Sequence, residues 1–411
     1  MRHSETVSFE SSFDDDSDKV FETVGVSLGL TLEAVDSFVV TITSYAEAAN
    51  ATWPFVTIPN YAVRLAKIRA LAKAVYMNQY QYVSETQRRT WEKYSMEHSS
   101  WVEQSIAIQR EDNSYHGLIV ESYNKSSVLF GDYGLIPYNV TGPHFPSWQG
   151  APVVPVNPPF NWDGAQYPTL VDSIGELFEN RRVVISAAIN ILDPNNPASA
   201  AEVADRNNFL KNFLANGTDV SEPASTMFYP IFDTAAEHVD IKNDRTAKPV
   251  AVFAMFFFWR DLLTGILPPG TDGIIAVFRN GCNQTFTYEI NGPELNYLGS
   301  EDLHDPSFDY LGKEASFHDL RTISLRKDED IYTGLELTNA TCPYILRVYP
   351  SATFKTNFTS SNPVIFAVAA SLIFLFTSVV FLMYDCLVER RQRKVMRTGR
   401  IPPSSADSLR F

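Results

Sequence analysis

The chain has 411 residues with 48 acidic and 33 basic side chains, a net charge of −15, which makes it a poor match for nucleic acid. At 45% hydrophobic and 13% aromatic residues it has ample material for a core, and its length calls for two or three subdomains.

The opening, MRHSETVSFESSFDDDSDKVF, contains no apolar segment of a signal peptide, and residues 1–18 are expected to be disordered. A translocated domain following such a start calls for an upstream transmembrane helix, with a cytosolic N-terminus and a tail-anchor-like span as the alternative. From Phe21, the residues Val24, Leu28, Leu32, Val35, Val39, Ile42 and Ala46 recur at spacings of three and four, one apolar face of a long helix. That face serves either a dimer seam or packing against the rest of the chain. After the turn TWPFVTIPN a second helix is predicted from Tyr61 to Val83. A capping box at Ser84-Glu-Thr-Gln87 then opens a third through Trp91, Tyr94, Trp101 and Ile106, so residues 19–110 read as a helical stalk region.

Gly, Pro and aromatic residues thicken between Ser122 and Pro168, which predicts short extended pieces and turns. Helices are predicted at Leu170–Glu179 and Ala198–Leu214. Strands are predicted at Met227–Phe232, Pro249–Phe258, Gly273–Phe278, Gln284–Ile290 and Tyr344–Tyr349, with a helical WRDLLTGIL after the second of them. Helices first and antiparallel strands later give an α+β fold. The aromatic and charged residues flanking these strands are the ligand-site candidates, namely Phe228, Tyr229, Phe232, Trp259 and Arg260, with core packing as the competing role.

Between Lys355 and Asp385 no charge occurs, and residues 364–384 read VIFAVAASLIFLFTSVVFLMY. Roughly 20 apolar residues cross about 30 Å of hydrocarbon, so this is a predicted transmembrane helix. Arg390, Arg391, Arg393, Lys394 and Arg397 follow it, in a basic tail over 385–411 that holds seven of the 33 basic residues and three of the 48 acids. The positive-inside bias places this tail in the cytoplasm and the remainder outside, as a single-pass protein of the plasma membrane. Glycosylation sequons at Asn50, Asn124, Asn139, Asn216, Asn283, Asn339 and Asn357 all precede the span. Cys282 and Cys342 also precede it and could pair in an oxidising compartment, while Cys386 sits where acylation is common.

The sequence contains no HExxH, GxSxG, GxxxxGK[ST] or Cys-x-x-Cys motif, so neither an enzyme nor a cofactor or metal is expected. His304 lies near Asp302 and Asp305, where a solvated loop is the commoner reading than a metal ligand set.

The succession TWPFVTIPNYAVRLAKIRALAKAVYMNQYQYVSETQRRTWEKYS, FYPIFD, PVAVFAMFFFWRDLLTGILPPGTDGIIAVF, CNQTFTYEINGPE and CPYILRVYPS resembles the CHASE-like sensor ectodomain of microalgal receptor-type guanylate and adenylate cyclases. YDCLVERRQRKVMRT resembles the juxtamembrane segment that leads to their cyclase domain, which does not follow within these 411 residues. The resemblance implies long N-terminal helices followed by PAS-like antiparallel α+β lobes, a membrane-distal one over 111–240 and a membrane-proximal one over 241–355, with Cys282 bridged to Cys342. It further implies a homodimer in the lipid bilayer that binds a small-molecule ligand and signals through the span. A catalytically inert, membrane-anchored protein that dimerises with full-length relatives is the alternative.

Overall fold

Residues 2–48 form one helix, α1 (Arg2–Ala48), in the computed structural model, which describes residues 2–111, 125, 128–129, 141–153, 160–166, 168–189, 222–234, 247–317, 343–358 and 363–398. The apolar face expected from Phe21 onward continues backwards through Val20, Phe13 and Phe9, all buried. Residues 2–18 are therefore helical rather than the disordered lead-in expected. Phe9 and Phe13 anchor the segment, and the rotation of the helix turns Asp14, Asp15 and Asp18 outward. At about 1.5 Å per residue the 47 residues of α1 span about 70 Å.

The helix predicted over 61–83 stops early. It consists of α2 (Tyr61–Leu71) followed by β1 (Tyr76–Gln81). Lys73, at φ 50, takes the left-handed conformation that ends a helix. Beyond it the polar string YMNQYQ is drawn into a sheet by pairing on both sides, a tertiary effect that outweighs local propensity. Gln87 accepts from the Ser84 N–H at 3.2 Å, so the expected capping box is present; it opens a 3-10 turn (Glu85–Gln87) that runs into α3 (Arg88–Glu97), and the single helix expected through Ile106 is broken before α4 (Trp101–Glu111). Trp91, Trp101, Trp148 and Phe160 pack into a satellite core here, with the Trp91–Trp148 centroids 5.2 Å apart.

The remaining strands and the helix of the first sheet are β2 (Ser147–Ala151), α5 (Pro168–Asn180), β3 (Val184–Ile185), β4 (Ala224–Phe232) and β5 (Pro249–Phe258). The sheet is antiparallel, in the order β2-β1-β5-β4-β3. α5 covers one face through Ile174 and Leu177, which meet Tyr80, Phe228 and Val252. α1 covers the other, where Phe38 meets Phe253 at 5.5 Å. The lobe boundary expected at 240 moves accordingly, because β5 pairs in the middle of the first sheet.

A short helix, α6 (Arg260–Leu263), leads to the second antiparallel sheet, made of β6 (Asp272–Asn280), β7 (Thr285–Asn291), β8 (Glu294–Gly299), β9 (Lys313–Ser316) and β10 (Tyr344–Pro350) in the order β8-β7-β6-β10-β9. A 3-10 turn over Pro306–Leu311 precedes β9, and α7 (Ala352–Phe358) follows β10. The N-terminal part of α1 packs on these elements. Phe9 lies 6.2 Å from Phe308 and 5.9 Å from Phe354, and Lys313 bridges Asp14 and Asp18. The architecture is mixed α+β with two five-stranded antiparallel sheets. The helix expected at 198–214 lies outside the described residues.

Thr6–Lys355 forms one compact unit, and α8 (Pro363–Thr398) belongs to another. Two helices are long and apolar enough to cross a membrane by length and composition, α1 from Thr6 and α8 from Ala367 to Lys394. They differ in burial: the apolar stretch of α1 is a little more than half buried, whereas α8 leaves Phe374 and Phe381 exposed.

Candidate functional site

The five residues singled out in the sequence each lie in a different environment. On β4, Phe228 faces α5 in the core of the first sheet, while its neighbour Tyr229 faces α1 and donates its hydroxyl to the Asp36 carboxylate. Phe232, past a register shift at the strand end, lies under the Arg181 guanidinium at 5.1 Å. Trp259 follows β5 of the first sheet, yet its ring packs into the second, 4.3 Å from Tyr344 and 4.8 Å from Phe278. Arg260 donates to Glu222 at 2.8 Å.

Trp259 marks a seam between the sheets. Its indole N–H donates to Ser225 Oγ at 2.9 Å, and the Tyr344 hydroxyl donates to the Ser186 carbonyl at 3.0 Å. Burial pushes that phenol up to about 12. The Gln284 side chain adds a clip across the seam, accepting from the Ala188 N–H at 2.8 Å and donating to the Ala188 carbonyl at 2.9 Å. At the same seam burial raises Asp261 to about 6, against the pull of Arg260 and Lys73.

Two histidines are each held between carboxylates. His144, buried, places Nδ1 2.7 Å from Asp163 Oδ2 and Nε2 3.0 Å from Glu85 Oε2. Burial pulls its pKa down, but the hydrogen bonds to Asp163 and then Glu85 outweigh it and hold the imidazole above its usual value. The clamp ties the Ser84–Gln87 turn to the loop before β2, since Asp163 Oδ1 also accepts from Phe145 N–H at 2.8 Å. His304 bridges Asp302 and Asp309 at 2.5 Å each and stacks on Tyr349 at 3.8 Å. Asp305 instead caps the 3-10 turn by accepting from Ser307 N–H at 2.9 Å. Among the described residues no group of three or more His, Cys, Asp or Glu is placed to hold a metal ion.

Sequence reasoning missed the polar side chains of β1. Gln79 and Gln81 are fully buried, and neither their amide oxygens nor their amide nitrogens have a hydrogen-bond partner. The alternation in NQYQ was the available signal, and the helix reading of 61–83 hid it.

Of the expected glycosylation sites, Asn50, Asn283 and Asn357 are exposed, and Asn124, Asn139, Asn216 and Asn339 lie outside the described residues. Cys282 is disulfide-bonded, and its expected partner, Cys342, also lies outside them. Cys386 is free and exposed. No protein family matches the chain, and no curated protein matches it.

Proposed function

We propose that this chain is the ligand-sensing ectodomain and membrane helix of a receptor related to the receptor-type nucleotide cyclases, with Thr6–Lys355 outside the cell and α8 as its single span. The observation that carries this reading is that one helix, α1, packs through Phe38 on the first sheet and through Phe9 on the 3-10 turn and α7 that flank the second. A change at the first sheet that moves α1 is felt at the second, and the last strand of the second sheet is followed after twelve residues by α8. The order β2-β1-β5-β4-β3, with first and last strands adjacent at the centre, supports a PAS-like first lobe. The exposed apolar surface of α8 and the basic residues that end it favour this helix as the span, with its C-terminus in the cytoplasm.

The test has two parts. In eukaryotic cells, with an N-terminal signal supplied, glycosidase treatment should reduce the apparent mass, and a C-terminal tag should be reachable only after permeabilisation. Fused through residue 398 to a class III cyclase domain, the chain should give nucleotide cyclisation that responds to an added extracellular ligand. A flexible Gly/Ser insertion after Thr356 should abolish that response while leaving expression intact. A tag exposed on intact cells, or a response indifferent to the insertion, would overturn the reading.

A further inference from the structure

Three glutamines line the face of the first sheet that α1 covers. Gln79 and Gln81 point to the same side of β1, and Gln79 stands directly across from Phe253, whose ring packs on Phe38 of α1. Gln149 of β2 lies opposite Gln79, at the register shift between the Asn78–Gly150 and Tyr80–Ser147 pairs. Both polar atoms of its amide are engaged, Oε1 accepting from the Ile58 N–H at 2.6 Å and Nε2 donating to the Ile58 carbonyl at 2.9 Å. Gln284 grips Ala188 in the same way. The fold thus twice uses a glutamine amide as a clip for the adjacent N–H and C=O of a single residue.

Gln79 and Gln81 have the same equipment and nothing in it. A buried amide without partners is costly, and leucine at either position would avoid that cost. We propose that these two side chains form the hydrogen-bonding wall of a ligand site. Its occupant is a small, neutral, planar molecule carrying an adjacent N–H donor and C=O acceptor, of the lactam or primary-amide kind. Phe38 and Phe253 supply the apolar surface for its ring. An anionic occupant does not suit this face, where the Asp36 carboxylate that accepts from the Tyr229 hydroxyl would repel it. Both amides are fully covered, so the site is closed in this state, and entry requires α1 to lift from β1. This inference rests on the sensing role proposed above and names its ligand class.

The test titrates uracil and nicotinamide into the full chain in nanodiscs by calorimetry, with nicotinate as the charged control, and follows hydrogen exchange in α1. At least one neutral probe should bind saturably and speed exchange in α1, and nicotinate should not bind. Gln79→Leu and Gln81→Leu should each weaken binding about tenfold or more while raising the melting temperature. Absence of binding by both neutral probes, or equal binding to the two variants, would overturn the site. The sensing role is judged separately by the cyclase fusion, whose response to an extracellular ligand would survive unchanged in Gln79→Leu and Gln81→Leu if only the site were wrong.

Discussion

The two sheets solve the same folding problem with opposite surfaces. The first is sandwiched, with α1 on one face and α5 on the other, and β4 and β5 are buried along almost their whole length. The second keeps one face partly in solvent, so β8 alternates exposed and half-buried residues, and β10 interleaves Ile345 and Arg347 with buried neighbours. A sheet covered twice tolerates few polar side chains, and each one it keeps must be paired or carry a cost. The second sheet places its charges on the open face, where Arg347 pairs with Glu314 at little consequence.

The largest effect expected from this contrast is at Trp259, which belongs to one sheet by chain and to the other by packing. Trp259→Ala should cost about 3–5 kcal/mol and split denaturant unfolding into two steps. Phe228→Ala, confined to the first sheet, should cost a similar amount while keeping a single transition. Equally sharp transitions in both variants would dissolve the distinction.

His144 sharpens the comparison within the first sheet. Its pKa is raised in the folded state, so its contribution is fully present below about pH 6.5 and is lost as pH rises through the raised value. His144→Gln should therefore cost about 2 kcal/mol under mildly acidic conditions, and the gap to the parent should narrow in alkali. Denaturant midpoints across pH would show a constant gap if the clamp did not titrate.

At the seam stability also falls as pH rises, but there the neutral substitution is the stabilising one at neutral pH. Asp261, raised from 3.8 to about 6 by burial, favours the folded state most below 3.8, and that contribution is lost as pH rises through about 6. Asp261→Asn should be more stable than the parent at neutral pH by about 1 kcal/mol, and its stability should be flat between those two values. A slope that persists in thermal melts would assign the titration to another group.

The smallest effect is expected where α1 meets the second sheet through exposed charges. Lys313→Met should cost about 0.5 kcal/mol and lose its salt dependence, because Asp14 and Asp18 face water. A loss several times larger would mean that this contact anchors α1.

Legibility in the sequence followed burial. PVAVFAMFFF and GIIAVF could be read as strands because a doubly covered or half-covered strand is rich in branched and aromatic residues. The long apolar face of α1 was equally plain, although its first turns were masked by the acids at 14–16 and 18. β1 was hard to read, since the weak alternation in NQYQ is its one local signal, and its partners lie about 70 and 170 residues away. The short strands β8 and β9 are defined by their neighbours rather than by composition. Among the site candidates, Trp259 and Phe228 stood out as large aromatics, which is also what core packing selects. The partnerless glutamines stood out only once the strand was in place.

The seam also has an evolutionary consequence. Because the residue after β5 is the one whose ring fills the second sheet, a recombination crossover at that point would leave each half with an unfilled socket or an orphaned indole. α1 compounds this, since a gene segment encoding either sheet alone would separate it from part of the helix that packs on the first sheet and on α7 beside the second. The two sheets are therefore expected to be inherited together as one module, and swaps between relatives should succeed only with breakpoints outside residues 6–355.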